Sequence, residues 1–113
     1  MRKFKEDDLQ KAVAKYLDFM KITWCHVANE RKASFAAGKR LKDKGVKSGV
    51  PDCLIFSVNK KFNGLAIELK VKPNKPTKNQ LYWLDQLSRN NWRTEVCYDF
   101  DEAKKIIDEY LIN

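Results

Sequence analysis

The sequence predicts an α/β fold in the order α-β-β-β-α-β-α, with a mixed central sheet flanked by helices. Three observations lead there. Apolar residues recur every three or four positions in three segments, the mark of amphipathic helices. Four other runs are short, apolar and of strand type. Three of those runs are consecutive, and the fourth returns only after a helix, which implies a crossover within one sheet. The 113 residues are expected to form one domain, 1–113, with a real core and no room for a separate specificity domain.

Each element has its own reason. Leu9, Ala12, Val13, Tyr16, Leu17 and Met20 give a helix from Glu6 to about Met20. Residues 22–28 read as a strand. Residues 30–48 are basic, carry Gly38 and Gly45, and read as a loop around a short helical piece; a connection this long is often functional. Residues 50–58 and 65–71 read as strands. Between them Asn59 to Gly64 forms a hairpin turn, with Asn63-Gly64 as the turn signal. Pro73 and Pro76 end the second of these strands. Thr77-Lys78-Asn79-Gln80 fits a capping box opening a helix to about Arg89, with Leu81, Leu84 and Leu87 inward. Residues 94–100 make the last strand. Asp101 is expected to cap a final helix with Ala103, Ile106, Ile107, Tyr110 and Leu111 on its apolar face.

Charge is distributed unevenly. The formal net charge is +8, yet residues 31–78 hold thirteen Lys/Arg against three Asp/Glu, two of which are Asp52 and Glu68. A basic segment around two isolated carboxylates points to a bound polyanion. Cys25, Cys53 and Cys97 form no CxxC pair, which argues against a zinc ribbon or redox motif and favours small buried hydrophobes. No signal peptide is evident, so a reducing cytoplasm is expected. No apolar run approaches the roughly 18 residues of a membrane helix. Neither a membrane nor a small-molecule substrate is expected as a partner.

The most informative stretch is Gly49-Val50-Pro51-Asp52, followed sixteen residues on by Glu68-Leu69-Lys70. Side chains at i and i+2 on a strand share a face, so Glu68 and Lys70 emerge together, opposite the apolar Leu65, Ile67, Leu69 and Val71. If the two strands pair, Asp52 joins them. Two carboxylates suit a hard divalent cation, and an ammonium beside them suits attack on a phosphodiester. Soft ligands are absent from this set, which disfavours zinc.

These residues carry a resemblance. The chain resembles the PD-(D/E)XK nuclease superfamily, and within it the virus-type replication-repair nuclease (VRR-NUC) domain. The matching pieces are Glu6…Leu9-Gln10, HVANE (26–30), KGVKSGVPDCLIF (44–56), AIELKVK (66–72) and PTKNQLYWLDQL (76–87). They cover nearly the whole chain in order. The resemblance implies a restriction-endonuclease-like core and a magnesium-dependent endodeoxyribonuclease, with manganese as a substitute. Asp52 and Glu68 would bind the metal, joined by the backbone carbonyl of Leu69. Glu6 would approach it through water, with Asp8 as the other candidate. Lys70 would orient or deprotonate the attacking water and stabilise the phosphorane charge. Gln80 would lie near that water or the scissile phosphate. Asn29-Glu30 matches a signature of unassigned role. Free-standing copies of this length are typical of phages and prophages, which places the protein in a bacterial or phage-infected cytoplasm.

The resemblance also implies the substrate: branched DNA, with nicking or resolution of four-way (Holliday) junctions in DNA repair. The runner-up is a flap endonuclease or exonuclease. The rival of another class is an inactive DNA-binding module, which the intact Asp-Glu-Lys set argues against. Arg31, Lys32, Lys39, Arg40, Lys42, Lys44 and Lys47, with Lys72, Lys75 and Lys78, are the expected phosphate contacts. A homodimer is expected, because two symmetric nicks need two sites and because thirteen aromatic residues exceed what a small core hides. Simpler readings exist for some of these residues. Gln80 could serve only the capping box, Glu6 only the helix dipole, and His26 a structural or DNA-contacting role. Trp24, Trp83 and Trp92 read as core or interface residues.

Overall fold

A computed structural model describes residues 2–28 and 35–113. The order is α1 (Arg2–Phe19), β1 (Trp24–His26), α2 (Phe35–Asp43), β2 (Cys53–Ile55), β3 (Leu65–Leu69), α3 (Lys78–Arg89), β4 (Arg93–Cys97) and α4 (Phe100–Ile112). The sheet is mixed, in the order β1-β2-β3-β4. β1 and β2 pair antiparallel, as do β2 and β3, while β3 and β4 are parallel. The predicted α/β class and mixed sheet are both present. The basic connection contains a nine-residue helix, α2, so the order is α-β-α-β-β-α-β-α.

One sheet face packs on α1 and α4. Cys53, Ile55, Leu65, Ile67, Leu69 and Cys97 meet Val13 and Leu17 of α1 and Ala103, Ile107 and Tyr110 of α4. Tyr16 donates its hydroxyl to Asp108, which ties α1 to α4 at the rim. The other face is covered by α3 over β3 and β4. β3 is therefore buried on both faces, as a strand with a parallel neighbour usually is.

Several sequence expectations need correction. α1 begins at Arg2 rather than Glu6, and Met20 falls in the exposed turn after it. β1 and β2 are three residues each, far shorter than the apolar runs that suggested them, and β3 stops at Leu69 rather than Val71. Cys25 is exposed, not buried: it lies on β1, the edge strand of the sheet. The β2–β3 turn is made by Asn59, whose Oδ1 accepts from the N–H groups of Lys61 (2.9 Å) and Phe62 (2.7 Å). Gly64 instead lets the Trp92 ring lie against the backbone, since a Cβ there would be 2.6 Å from it.

Helix ends follow the same local chemistry. The capping box of α3 forms as read: Thr77 Oγ1 accepts from Gln80 N–H, and Gln80 Oε1 from Thr77 N–H. Leu81, however, is 53% exposed, while Leu84 and Leu87 are half-buried against the sheet. β4 runs over 93–97, which releases Asp99 to extended backbone. Asp99, not Asp101, then caps α4, accepting from Glu102 N–H at 2.8 Å.

Candidate active site

The β2–β3 register builds the site. Cys53 pairs with Ile67, so Asp52, one step beyond the end of β2, stands opposite Glu68. Opposite residues of an antiparallel pair share a face. Pro51, buried just before Asp52, fits the point where the ladder stops, because proline has no N–H to donate. Asp52 Oδ2 accepts the backbone N–H of Leu69 at 2.8 Å. In an extended strand the N–H and C=O of one residue point to the same side, so the Leu69 carbonyl is also turned towards Asp52. Lys70 N–H points the other way, to Cys97 O of β4 (3.0 Å).

Glu68 is 2% exposed and Lys70 6%, with Lys70 Nζ 4.0 Å from Glu68 Oε2. Glu68 Oε1 is buried with no hydrogen-bond partner. Burial first, and the adjoining Asp52 charge second, push the Glu68 carboxyl up to about 8; Lys70 opposes the shift and Glu6 adds to it. A buried acceptor without a donor, pressed by a second carboxylate, is a site short of positive charge. Among the described residues no three His, Cys, Asp or Glu side chains gather to hold a metal ion. Two carboxylates and a carbonyl nevertheless fit a hard cation that keeps several waters.

A cavity of ≈ 760 Å³ opens beside this corner, and Glu6, Lys70 and Gln80 all line it. Gln80 is 5% exposed, and its Oε1 is committed to the capping box, which leaves Nε2 as its remaining donor. Of the expected phosphate contacts, Lys42, Lys47 and Lys75 line the same cavity. Lys39, Arg40, Lys44, Lys72 and Lys78 do not. Lys39 pairs with Asp43 across one turn of α2 (3.4 Å), and Lys72 Nζ lies over the Tyr98 ring. Asn29, Glu30, Arg31 and Lys32 lie outside the described residues.

Two features were not read from the sequence. His26 Nδ1 is 2.8 Å from Asp52 O, and since a carbonyl only accepts, Nδ1 carries the proton. Ser48 Oγ accepts from Asn79 Nδ2 at 2.8 Å and joins the loop before Asp52 to α3. The second had a legible signal, because both residues lie within quoted motifs, Ser48 in 44–56 and Asn79 in 76–87. The first needed the β1–β2 register.

The fold described above agrees with comparison to known proteins. The profile of the VRR-NUC domain family matches residues 4–100. A solved structure described as "VRR_NUC domain protein" is similar with a TM-score of 0.79 and 23% identity, over 95% of this chain and 88% of that one. Another, described as "VRR_NUC domain", is similar with a TM-score of 0.62 and 22% identity, over 94% and 97%. No curated protein matches. The chain belongs to the VRR-NUC family. That membership implies a nuclease of the PD-(D/E)XK kind, acting on DNA and of a typically metal-dependent class. Among the described residues, no helix is long and apolar enough to cross a membrane.

Proposed function

We propose that the protein is a magnesium-dependent, structure-selective DNA endonuclease that nicks four-way junctions as a homodimer. The observation that carries the nuclease reading is the buried corner where Asp52 faces Glu68 beside Lys70, with Glu68 Oε1 unpartnered. Asp52, Glu68 and the Leu69 carbonyl would hold the Mg²⁺, with Glu6 reaching it through water; Mn²⁺ would substitute. Bound there, the ion supplies acidity to the attacking water and charge neutralisation to the phosphate.

The chain's own residues do the rest. Lys70 adds a positive group at the same corner, where it attracts a phosphate oxygen and stabilises the charge of the transition state. The N–H of Leu69 holds Asp52 in place. Gln80 Nε2 is the donor available to orient the water or the scissile phosphate. Lys42, Lys47 and Lys75 extend the positive surface along the cavity. Replacing these three by alanine together should flatten the slope of log affinity against log salt by about two to three. An unchanged slope would move the DNA to another surface.

Junction selectivity rests on the family resemblance and on symmetry. Each chain contributes one such corner, and a two-fold dimer supplies two at a fixed separation. Phe19, Val58, Tyr82 and Ile112 are large apolar residues left exposed, material for such an interface. Labelled duplex, flap and four-way junction should be compared with Mg²⁺ and with chelator. Paired, symmetric, Mg²⁺-dependent nicks in the junction are expected, with twice the monomer mass by light scattering. Preferential flap cleavage by a monomer would replace the junction reading. Binding without cleavage would leave a DNA-binding module.

A further inference from the structure

We propose that Ser48 and Asn79 form a clamp that positions the two halves of the active site, so that they set the rate of cleavage rather than the affinity for DNA. The inference rests on the nuclease reading above. Asp52 follows the loop 46–51, whereas Gln80 stands on α3, and no strand pairing joins that loop to that helix. Two observations join them. Asn79 Nδ2 donates to Ser48 Oγ at 2.8 Å. Gly49, buried with φ +89°, lies so close to Asn79 that a Cβ would fall 2.7 Å from its carbonyl carbon and Cβ. The loop backbone therefore rests directly on the first turn of α3, and the hydrogen bond fixes where along that turn it rests.

The consequence is geometric. Asn79 precedes Gln80, and Ser48 stands four residues before Asp52. A slip of the loop along α3 would change the distance between the Asp52–Glu68 corner and the Gln80 amide, both of which must meet one phosphate. Ser48, Asn79, Lys70 and Gln80 line the same cavity, so the clamp forms its wall. Both clamp side chains lie on exposed residues, where a neutral hydrogen bond adds little to stability. The bond matters through alignment, and small misplacements of reacting groups carry large rate penalties.

The test is single-turnover cleavage, DNA affinity and melting temperature for Ser48→Ala, Asn79→Ala, the double variant and Ser48→Thr. Each alanine variant is expected to slow cleavage by about 10-fold or more, with affinity and melting temperature held. The double variant should be no slower than the slower single one, because either change opens the same clamp. Ser48→Thr keeps the acceptor and should restore the rate. Wild-type rates, additive losses, or a loss confined to affinity would each overturn the clamp, the last by making the pair a DNA contact. Asp52→Asn separates this from the parent reading. If it cuts like wild type, the nuclease site itself is misassigned; if it is dead while Ser48→Ala and Asn79→Ala are unimpaired, only the clamp fails.

Discussion

Alanine at Asp52, Glu68 or Lys70 is expected to abolish DNA cleavage, each by on the order of 10²–10³-fold or more, while DNA binding is kept. On the proposed reading Asp52 and Glu68 would hold the metal and Lys70 would face the phosphate, so losing any of them would take positive charge away from where negative charge develops. Binding should survive because the proposed DNA contacts, Lys42, Lys47 and Lys75 along the cavity, are left in place. Removing a carboxylate also deletes a charge that repels phosphate, so Asp52→Ala and Glu68→Ala should bind DNA as tightly as wild type or more so. Isosteric variants guard against misfolding. Asp52→Asn keeps an oxygen for the Leu69 N–H. Lys70→Met keeps a long apolar stem at this buried position. Full activity in a purified Asp52→Ala protein, checked for contaminating nuclease, would end the assignment.

The corner was legible in the sequence because its geometry is local. The i, i+2 spacing of Glu68 and Lys70 decides that they share a face. The pairing of two adjacent strands through a short turn decides that Asp52 joins them. The capping box of Thr77 and Gln80 was legible for the same reason: it is a four-residue matter. α4 and its apolar stripe follow from periodicity alone.

What was not legible depends on distant partners. Leu81 fits the apolar period of α3, yet it is exposed, because α3 packs on β3 and β4 along a narrow inward arc. Cys25 reads as buried in sequence and lies bare on an edge strand. Both carboxyls near residue 100 can cap a helix, and only the end of β4 decides for Asp99. The short helical piece read within the basic connection is present, but its bounds were not legible, because Gly38 lies inside it and weakens the local signal. Among the basic residues, sequence alone could not separate Lys42, Lys47 and Lys75, which face the cavity, from Lys39, which faces Asp43.

Glu68→Gln is expected to inactivate the enzyme and yet make the metal-free protein more stable at pH 8. In the fold the Glu68 carboxyl titrates at about 8, against an ordinary value of 4.5. Between those values the folded protein holds a proton that the unfolded chain has already released. Stability therefore falls as pH rises through this window, by up to about 1.4 kcal/mol per pH unit, and levels off above it. Lys70 does not cancel the effect, because burial and Asp52 each outweigh it. Glutamine mimics the protonated acid and carries no charge to bury, so its contribution should not change with pH. Melts in chelator from pH 5.5 to 8.5 should show the wild type losing ground to Glu68→Gln as pH rises. Adding Mg²⁺ should then stabilise the wild type most at pH 8 and leave Glu68→Gln nearly unmoved, since the ion binds the ionised form that only the wild type can supply. Parallel pH profiles in chelator would mean that Glu68 is ionised throughout, and that the buried corner meets its need for positive charge from Lys70 alone.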